Sequence, residues 1–319
     1  MNKKRNSILV LLLLCTCVLV NNKLAIAQQP SQYSQFVFNN FVINPAAGGL
    51  GDYMELTLGY RTQWLGFSAA PKTYLISFST PIKTTKREPR PFGERNHHAI
   101  GAVAIKDETG PISKTVAHLN YSYHVRLDYN LYASLGIFAG MRQFQLNTDG
   151  LTTAEPDADM QSFSDIAPDA AVGAWIYSKK YFAGLSAHQL IPVPLAGTAN
   201  TLKMHYFVSA GYKFPLKKIE SNIIPAAHVK FGLLTPIQVD INVKFDYKNM
   251  WWVGISYRKI DAVIGIVGFN LNNYIQVGYA FDFTTSKLRK YSNNTHEILI
   301  RARFKPNKRI RDVKCPEWG

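Results

Sequence analysis

Few residues of this chain are spaced in a way that could do chemistry. Its eight histidines are scattered, with no His-x-x-x-His pair that could hold zinc and no Gly-x-Ser-x-Gly turn that could present a nucleophilic serine. His118 and His124 lie six residues apart and share one face of a predicted strand, a common spacing for polar residues. We therefore predict no catalytic residue and no enzymatic activity.

Metal and cofactor sites are not indicated either. Residues 148–162 carry four acidic side chains, but they lack the glycine and the glutamate that an EF-hand loop needs at fixed positions. Of the three cysteines, only Cys315 lies outside the N-terminal leader, so neither a thiolate cluster nor an internal disulfide framework is predicted. The prediction is no metal and no cofactor.

Residues 1–27 have the features of a secretory signal peptide. A basic start at 3–5 precedes an apolar run of 13 residues, too short to span a bilayer, and a small-x-small cleavage pattern at 25–27. A lipoprotein anchor at Cys15 or Cys17 is the alternative, but neither follows the small residues that such an anchor needs.

Removing the leader takes away four of the 36 basic residues and lowers the net charge from +15 to +11. A basic exported protein suits anionic lipid, glycans or an acidic partner, and not nucleic acid.

The rest of the chain has the alternation of β-strands. In YMELTLGYRTQW (53–64), apolar side chains alternate with small or charged ones, as they do in QVDINVKFDYK (238–248). This pattern and the turn residues between its repeats predict about fourteen strands: 53–64, 72–81, 98–109, 113–127, 130–147, 163–178, 181–190, 204–216, 222–234, 238–249, 250–260, 261–273, 274–286 and 296–306.

Strand length and connection length favour a membrane barrel over a soluble β protein. Most predicted strands have about ten residues or more, as a tilted strand needs to cross a bilayer, whereas strands of soluble proteins average about five or six. Short connections alternate with long ones, with exceptions at 82–97 and near residue 235. Aromatic residues make up 13% of the chain and lie near strand ends, as in membrane-interface belts. We predict an all-β fold: a single antiparallel outer-membrane barrel over 53–306, with both termini in the periplasm.

Residues 28–52 precede the barrel and are predicted to be irregular. Within FNNFVINPAAGG (38–49), the asparagines favour turns, Pro45 keeps Asn44 extended, and the paired glycines permit positive φ. Two interpretations are open: a simple lead-in to the first strand, or a segment that plugs the lumen or contacts a periplasmic partner. The candidate partner-binding residues here are Asn39, Asn44 and Pro45.

Two other segments are candidates for partner binding because they are basic. Residues 82–97 are long for a periplasmic turn and contain two prolines, and the tail 307–319 is predicted to face the periplasm. The alternatives are a solvated charge run and a disordered end. The candidate contact residues are Lys86, Arg87, Arg90, Arg95, Arg309 and Arg311.

Several stretches resemble, in order, those of one family. They are SQYSQFVFNNFVINPAAGG (31–49), YRTQWLGFSAAPKTYLISFSTPI (60–82), DETGPIS (107–113), YFAGLSAHQLI (181–191), HYFVSAGYKF (205–214), WWVGISYR (251–258) and GFNLNNYIQVGYAFDFTTSKLRKYSNNTHEI (268–298). Together they cover nearly the whole mature chain, which is similar to the PorP/SprF family of the type IX secretion and gliding machinery of Bacteroidetes. The final KPNKRIRDVKCPEWG departs from the family pattern.

The resemblance implies a non-enzymatic outer-membrane component of the type IX machinery. It implies help with export or surface display of adhesin-like proteins that carry a C-terminal sorting domain, and contacts with periplasmic, peptidoglycan-binding components and with outer-membrane lipid. The alternatives are a general porin, favoured by a basic lumen, and a transporter of hydrophobic small molecules. The basic residues predicted to face the lumen are Arg61, Lys106, Arg126, Arg142, Lys230, Lys244 and Arg301.

Overall fold

A computed structural model describes residues 33–51, 53–66, 69–82, 96–128, 130–148, 162–193, 203–232, 235–259, 261–272, 274–285 and 294–304. The strands are β1 Met54–Thr62, β2 Lys72–Ile82, β3 His97–Thr109, β4 Ile112–Asp128, β5 Leu131–Leu146, β6 Phe163–Ser178, β7 Tyr181–His188, β8 His205–Tyr212, β9 Phe214–Leu216, β10 Ser221–Gly232, β11 Thr235–Tyr247, β12 Trp251–Arg258, β13 Ala262–Asn270, β14 Ile275–Thr284 and β15 Thr295–Phe304. Short helical turns lie at Asn40–Ile43, Pro45–Ala47 and Lys217–Ile219. No helix within these ranges is long and apolar enough to cross a membrane.

The strands close into one antiparallel barrel. Each strand pairs with its neighbours in sequence, and β15 pairs with β1 from Met54↔Phe304 to Thr62↔His296. Only Lys213 separates β8 from β9, and both pair with the same edge of β10, so the described residues form fourteen strand positions. Closure satisfies the backbone of the first and last strands, as lipid requires. The predicted all-β barrel of about fourteen strands is confirmed.

The wall carries its polar side chains inside. Along β1, Thr57 and Arg61 are buried in the interior, whereas Leu58 and Tyr60 are exposed on the outer face. The same alternation continues around the barrel, and the exposed outer face includes Leu119, Leu135, Leu185, Ile241 and Ile255. An apolar outer band around a polar interior suits a barrel that is surrounded by lipid.

The observed strands begin and end within three residues of the predicted bounds. One difference is the interruption of the predicted strand 204–216 at Lys213, which lies between β8 and β9. Another is the end of β1 at Thr62, because Trp64 has a φ of 50°, in the left-handed region that a strand does not use.

The two ends of the barrel differ. We call the end where β1 begins and β15 ends the terminal end, since Met54 and Phe304 pair there. The connections from β1 to β2, β3 to β4 and β12 to β13 lie at the other end, which we call the distal end. The assignment of the terminal end to the periplasm stays a prediction.

Candidate functional site

Residues 33–51, which we call the lumen segment, lie inside the barrel. Every residue from 34 to 50 is buried. The segment starts among inward side chains toward the distal end, beside Asp282 and Glu297, and it descends to His97 near the terminal end before β1 begins. It therefore follows the lumen along much of the barrel's length.

Asparagine, proline and glycine set the local shape of this segment. Asn44 follows the helical turn Asn40–Ile43, and its side chain accepts a hydrogen bond of 2.9 Å from the backbone N–H of Ala46. Pro45 occupies the first position of the next turn, where its missing N–H leaves no bond unmade. Gly49 has a φ of 70°, which glycine adopts without strain. These residues let the chain fold tightly with two short helical turns and no strand.

The wall satisfies the backbone carbonyl groups of the lower part of the segment. Seven inward side chains, from β3, β4, β5 and β7, donate hydrogen bonds of 2.6 to 3.1 Å to five segment carbonyls. Because an unpaired buried carbonyl is costly, this arrangement lets an irregular backbone lie in the barrel interior. The pairs are Ser186 and His188 to Ile43, Asn120 to Pro45, Ser134 to Ala46, Ser122 and His124 to Gly48, and His97 to Gly49.

Asn44 links the segment to two further strand backbones. Its Nδ2 donates to the carbonyl oxygens of Ala174 on β6, at 3.1 Å, and of Leu185 on β7, at 2.9 Å. The residue is only 2% exposed. Apolar side chains could not make these bonds, so Asn44 fixes the position of the segment against β6 and β7.

A buried ionic cluster holds the upper part of the segment. Arg61 lies 2.9 Å from Asp282 and 3.0 Å from Glu297, while Arg258 lies 3.2 Å from Asp240 and 3.4 Å from Asp282. All five side chains are nearly inaccessible to solvent. Removing one member would leave a buried charge without its partner, which is strongly destabilising.

The segment completes this cluster through its backbone and one hydroxyl group. The N–H of Ser34 donates to Glu297 at 2.8 Å, and its Oγ donates to Asp282 at 2.7 Å and contacts Arg61. The N–H of Gln35 donates to Glu297 at 3.1 Å, and Arg258 donates to the carbonyl oxygen of Tyr33 at 3.1 Å. The cluster therefore joins the segment to β1, β12, β14 and β15, on the side of the lumen away from β4 to β7.

Aromatic side chains of the segment fill the space between these polar contacts. Phe36 stacks on His228 of β10, Phe38 stacks on Trp252 of β12, and Phe41 meets Phe138 of β5 edge to face, with ring centroids 5.2 to 5.4 Å apart. The Arg301 guanidinium lies 4.0 Å from the Phe38 ring centroid, a cation–π contact. The segment thus contacts wall strands on opposite sides and occupies the cross-section of the lumen.

Glycines in the wall make room for the segment. A Cβ at Gly136 on β5 would overlap the backbone of Pro45 and Ala46, and one at Gly173 on β6 would overlap Asn44 and Pro45. Both glycines face inward on their strands. A larger residue at either position is incompatible with the observed seat of the segment.

Above the segment, a cavity of about 840 Å³ opens toward the distal end. Its floor is formed by Tyr33, Phe36, Val42 and Ile43 of the lumen segment. Its walls combine apolar side chains, mainly from β3 to β8, with charged ones from β2 to β4, from β10 and β11 and from the turn after β12, and with the ion pair of Arg142 and Asp169. The cavity is large enough for a ligand of drug size.

The lumen is not lined by basic residues alone. Arg61, Arg142, Lys230, Lys244 and Arg301 are buried inside, and Arg126 is partly buried above the Tyr132 ring. Arg61 and Arg142 lie against acidic partners. The prediction for Lys106 is wrong, because His97, Ala99 and Val103 set the inward positions of β3 and Lys106 lies on the exposed outer face, 2.7 Å from Glu108.

The candidate partner-binding residues fall into two groups. Asn39, Asn44 and Pro45 lie in the lumen segment and are buried in the barrel interior. Their role in partner binding stays a prediction. The others, which lie outside the described residues, are Lys86, Arg87, Arg90, Arg95, Arg309 and Arg311.

Sequence reasoning missed the wall residues that hold the segment. Ser122 and His124 alternate along β4, as Ser186 and His188 do along β7, so polar groups recur on one face. That alternation was the available signal, but a barrel interior is polar in any case. The sequence could not show that these groups meet a segment over 70 residues away in the chain.

A closed barrel with a lipid-facing outer band and a segment of its own chain across the lumen defines an integral membrane protein of the β-barrel class. The chain belongs to a family described as type IX secretion system membrane protein PorP/SprF, which matches residues 25–302. Family membership and the barrel together assign the protein to the outer membrane, as a membrane component of the type IX secretion system. No curated protein matches the chain.

Among solved structures, the chain is similar to other barrels at low identity. It is 11% identical to the CymD monoaromatic hydrocarbon channel, covering 87% of this chain and 94% of that one, with a TM-score of 0.46. It is 9% identical to the outer membrane protein Omp33 of Acinetobacter baumannii, covering 80% and 99%, with a TM-score of 0.44. It is also 9% identical to the KdgM porin, covering 78% and 99%, with a TM-score of 0.36.

Proposed function

We propose that this protein is a non-enzymatic adaptor that aids export or surface display of adhesin-like proteins with a C-terminal sorting domain. In this proposal the terminal end faces the periplasm and contacts type IX components there, including peptidoglycan-binding proteins. The proposal is supported by the position of the lumen segment, which lies buried across the barrel interior. A barrel whose cross-section is occupied by its own chain is suited to anchoring and binding rather than to free diffusion.

Deletion of the gene tests this function directly. Surface and secreted proteins of the deletion strain are compared with those of the parent by mass spectrometry. The expected result is the loss of particular sorting-domain proteins from the cell surface, restored by the wild-type gene. Unchanged surface proteins together with slower uptake of small solutes would contradict the adaptor and favour a porin.

Planar-bilayer conductance tests whether the lumen segment blocks the barrel. The test is needed because the open distal cavity supports the porin alternative. Purified wild-type protein is expected to give no steady ohmic steps. A variant lacking 33–50 is expected to conduct, because the segment fills the lumen that it would leave open. Steady conductance of the wild-type protein would favour a porin or a small-molecule transporter.

The basic segments are proposed to hold periplasmic partners. Changing Arg87, Arg90 and Arg95 together to Glu should reduce co-purification of type IX components, because it reverses the charge of the segment. Changing Lys217 and Lys218 to Glu is the matched control, since these exposed lysines lie in a short turn at the same end of the barrel. Equal recovery of components with both variants would count against this contact.

A further inference from the structure

The wall of the distal cavity is higher on one side. β6 begins at Phe163, but its pairing with β7 begins only at Ala171, opposite His188. The same part of β6 is paired with β5 over its full length, up to Leu146 opposite Phe163. β3 to β6 therefore form a sheet that rises beyond β7 and β8 at the distal end.

The outer face of this raised sheet is more polar than the outer face of the lower wall. In the middle of β4 and β5, the outer face is apolar, as the exposed Leu119, Leu135 and Ile137 show. Higher up, most outer side chains are polar, with the exposed Ile166 as an exception, and Gln143 donates to Ser164 there at 3.0 Å. The outer polar residues of the raised sheet are Ser113, Thr115, Gln143, Gln145 and Ser164, which alternate with the inner ones.

The inner face of the raised sheet lines the cavity and carries apolar side chains together with the charged Asp107 and Lys114, whose Nζ lies 5.9 Å from the Phe144 ring centroid. Ile105, Ile112, Val116 and Phe144 face the cavity, and Phe163 stacks on Phe144 with ring centroids 5.8 Å apart. These five apolar residues are only partly buried. Barrel interiors are normally polar, so these partly exposed apolar side chains inside the barrel indicate positions that apolar groups of a ligand cover.

The remaining cavity walls are mainly polar, with Phe207, Pro236 and Ile237 among their apolar residues. β10 to β12 and the turn after β12 contribute Lys230, Asp240, Lys259 and Asp261 to the lining. On β6, Asp169 binds Arg142 and His118 through Oδ2, while its buried Oδ1 has no hydrogen bond within the described residues. That oxygen has almost no accessible surface, so the second requirement comes from the charged side chains of the lining, which a ligand that fills the cavity should meet with polar groups.

We propose that the distal cavity binds an extended peptide segment whose apolar side chains pack on the apolar residues of the raised sheet and whose polar groups meet the charged side chains of the lining. A strand with period-two alternation has this division, and its backbone N–H groups are donors. A plain hydrocarbon chain fits less well, because it would desolvate the charged wall without replacing its hydrogen bonds. The source of the peptide, an exported client, rests on the proposed function.

Binding of defined peptides in lipid nanodiscs tests the proposal. The probe is a synthetic peptide of about eight residues in which Val alternates with Lys and Glu, as in a half-buried strand. A peptide of the same composition with its valines consecutive, and laurate, are the comparison ligands. We expect the alternating peptide to bind about tenfold more tightly than the consecutive one, and laurate not to displace it.

Neighbouring residues on the two faces of the raised sheet supply matched variants. Val116→Asp and Phe144→Asp, on the inner face, should weaken peptide binding about tenfold or more, because each buries a carboxylate against the ligand. Thr115→Asp and Gln143→Asp, on the outer face of the same strands, should bind within about twofold of wild type. Equal binding of both peptides, binding of laurate alone, or equal effects on the two faces would overturn the proposal. The two inner variants are independent, so one that fails to fold leaves the other as the test.

Surface display separates this inference from the proposed function. If gene deletion leaves display intact while the purified protein binds the alternating peptide as described, the proposed function fails and the cavity assignment stands. If deletion abolishes display but Val116→Asp and Phe144→Asp display clients normally, the cavity assignment fails and the proposed function stands.

Discussion

Replacing Gly136 with alanine should unseat the lumen segment by adding a single methyl group. The new Cβ would lie 2.5 Å from the Pro45 carbonyl oxygen and would also overlap backbone atoms of Ala46. Ordinary contact starts at 3.4 Å, so the segment must move by about 1 Å. The obstacle is backbone rather than a flexible side chain, and rotamer changes cannot remove it.

The expected cost follows from the hydrogen bonds at this point. A shift of this size breaks the bonds from Ser134 to Ala46, at 2.7 Å, and from Asn120 to Pro45, at 3.0 Å. Each net bond contributes about 1 kcal/mol, and an unsatisfied buried group costs about 1–3 kcal/mol, so seating should weaken by about 2–4 kcal/mol. Since about 1.4 kcal/mol is a factor of ten, opening of the segment should become about 30 to 700 times more frequent.

Hydrogen–deuterium exchange of the segment amides measures this opening. The matched control is Gly265→Ala, because a Cβ at Gly265 meets no atom within 4 Å. We expect fast exchange over 41–49 in Gly136→Ala and wild-type exchange in the control. Exchange in Gly136→Ala within about threefold of wild type would refute the argument that close backbone approach seats the segment.

Three further predictions concern the cluster, the outer face and the lumen. Glu297→Gln removes a buried charge beside Arg61 and should lower the free energy of unfolding in urea by about 3 kcal/mol. Lys106→Gln, at an exposed ion pair, should leave this free energy nearly unchanged. Similar losses in the two variants would contradict the cluster's role. Leu119→Arg, on the outer face, should make the free energy of folding into lipid vesicles less favourable by about 2–4 kcal/mol. Thr115→Arg, higher on the same strand, should cost less. If Leu119→Arg is tolerated, that face does not contact lipid. The variant without 33–50 should admit larger uncharged solutes in liposome-swelling assays than wild type, and equal rates would show that the segment does not limit passage.

Alternation was enough to predict the barrel because lipid and lumen impose opposite polarity on successive residues. β1 and β11 show this clearly, with Leu58 and Ile241 outside and Arg61 and Asp240 inside. The error at Lys106 has a physical reason. The upper part of β3 carries Val103 and Ile105 on its inner face, so the apolar side there is not the lipid side.

The sequence predicted the lumen segment as an irregular stretch and left open whether it plugs the lumen. Its Asn, Pro and Gly residues predict turns, and these do form at Asn44, Pro45 and Gly49. Where the stretch lies depends on distant partners such as Ser122 and Glu297, whose contacts join residues 74 and 263 positions apart. No local pattern specifies which of many inward polar groups these partners will be.

The place of Ser34 in the ionic cluster has a consequence for assembly of the barrel. Ser34 is separated from Glu297 by 263 residues, and Glu297 lies on the strand that closes the cylinder against β1. The middle strands can form their hydrogen bonds to Ile43 and Pro45 early in folding. The start of the segment can bind Glu297 only after β15 has joined the barrel. The pairing of β15 with β1 therefore closes the barrel around the lumen segment, which precedes every strand in the chain. Because such distant contacts form slowly, this closing step should be rate-limiting for folding.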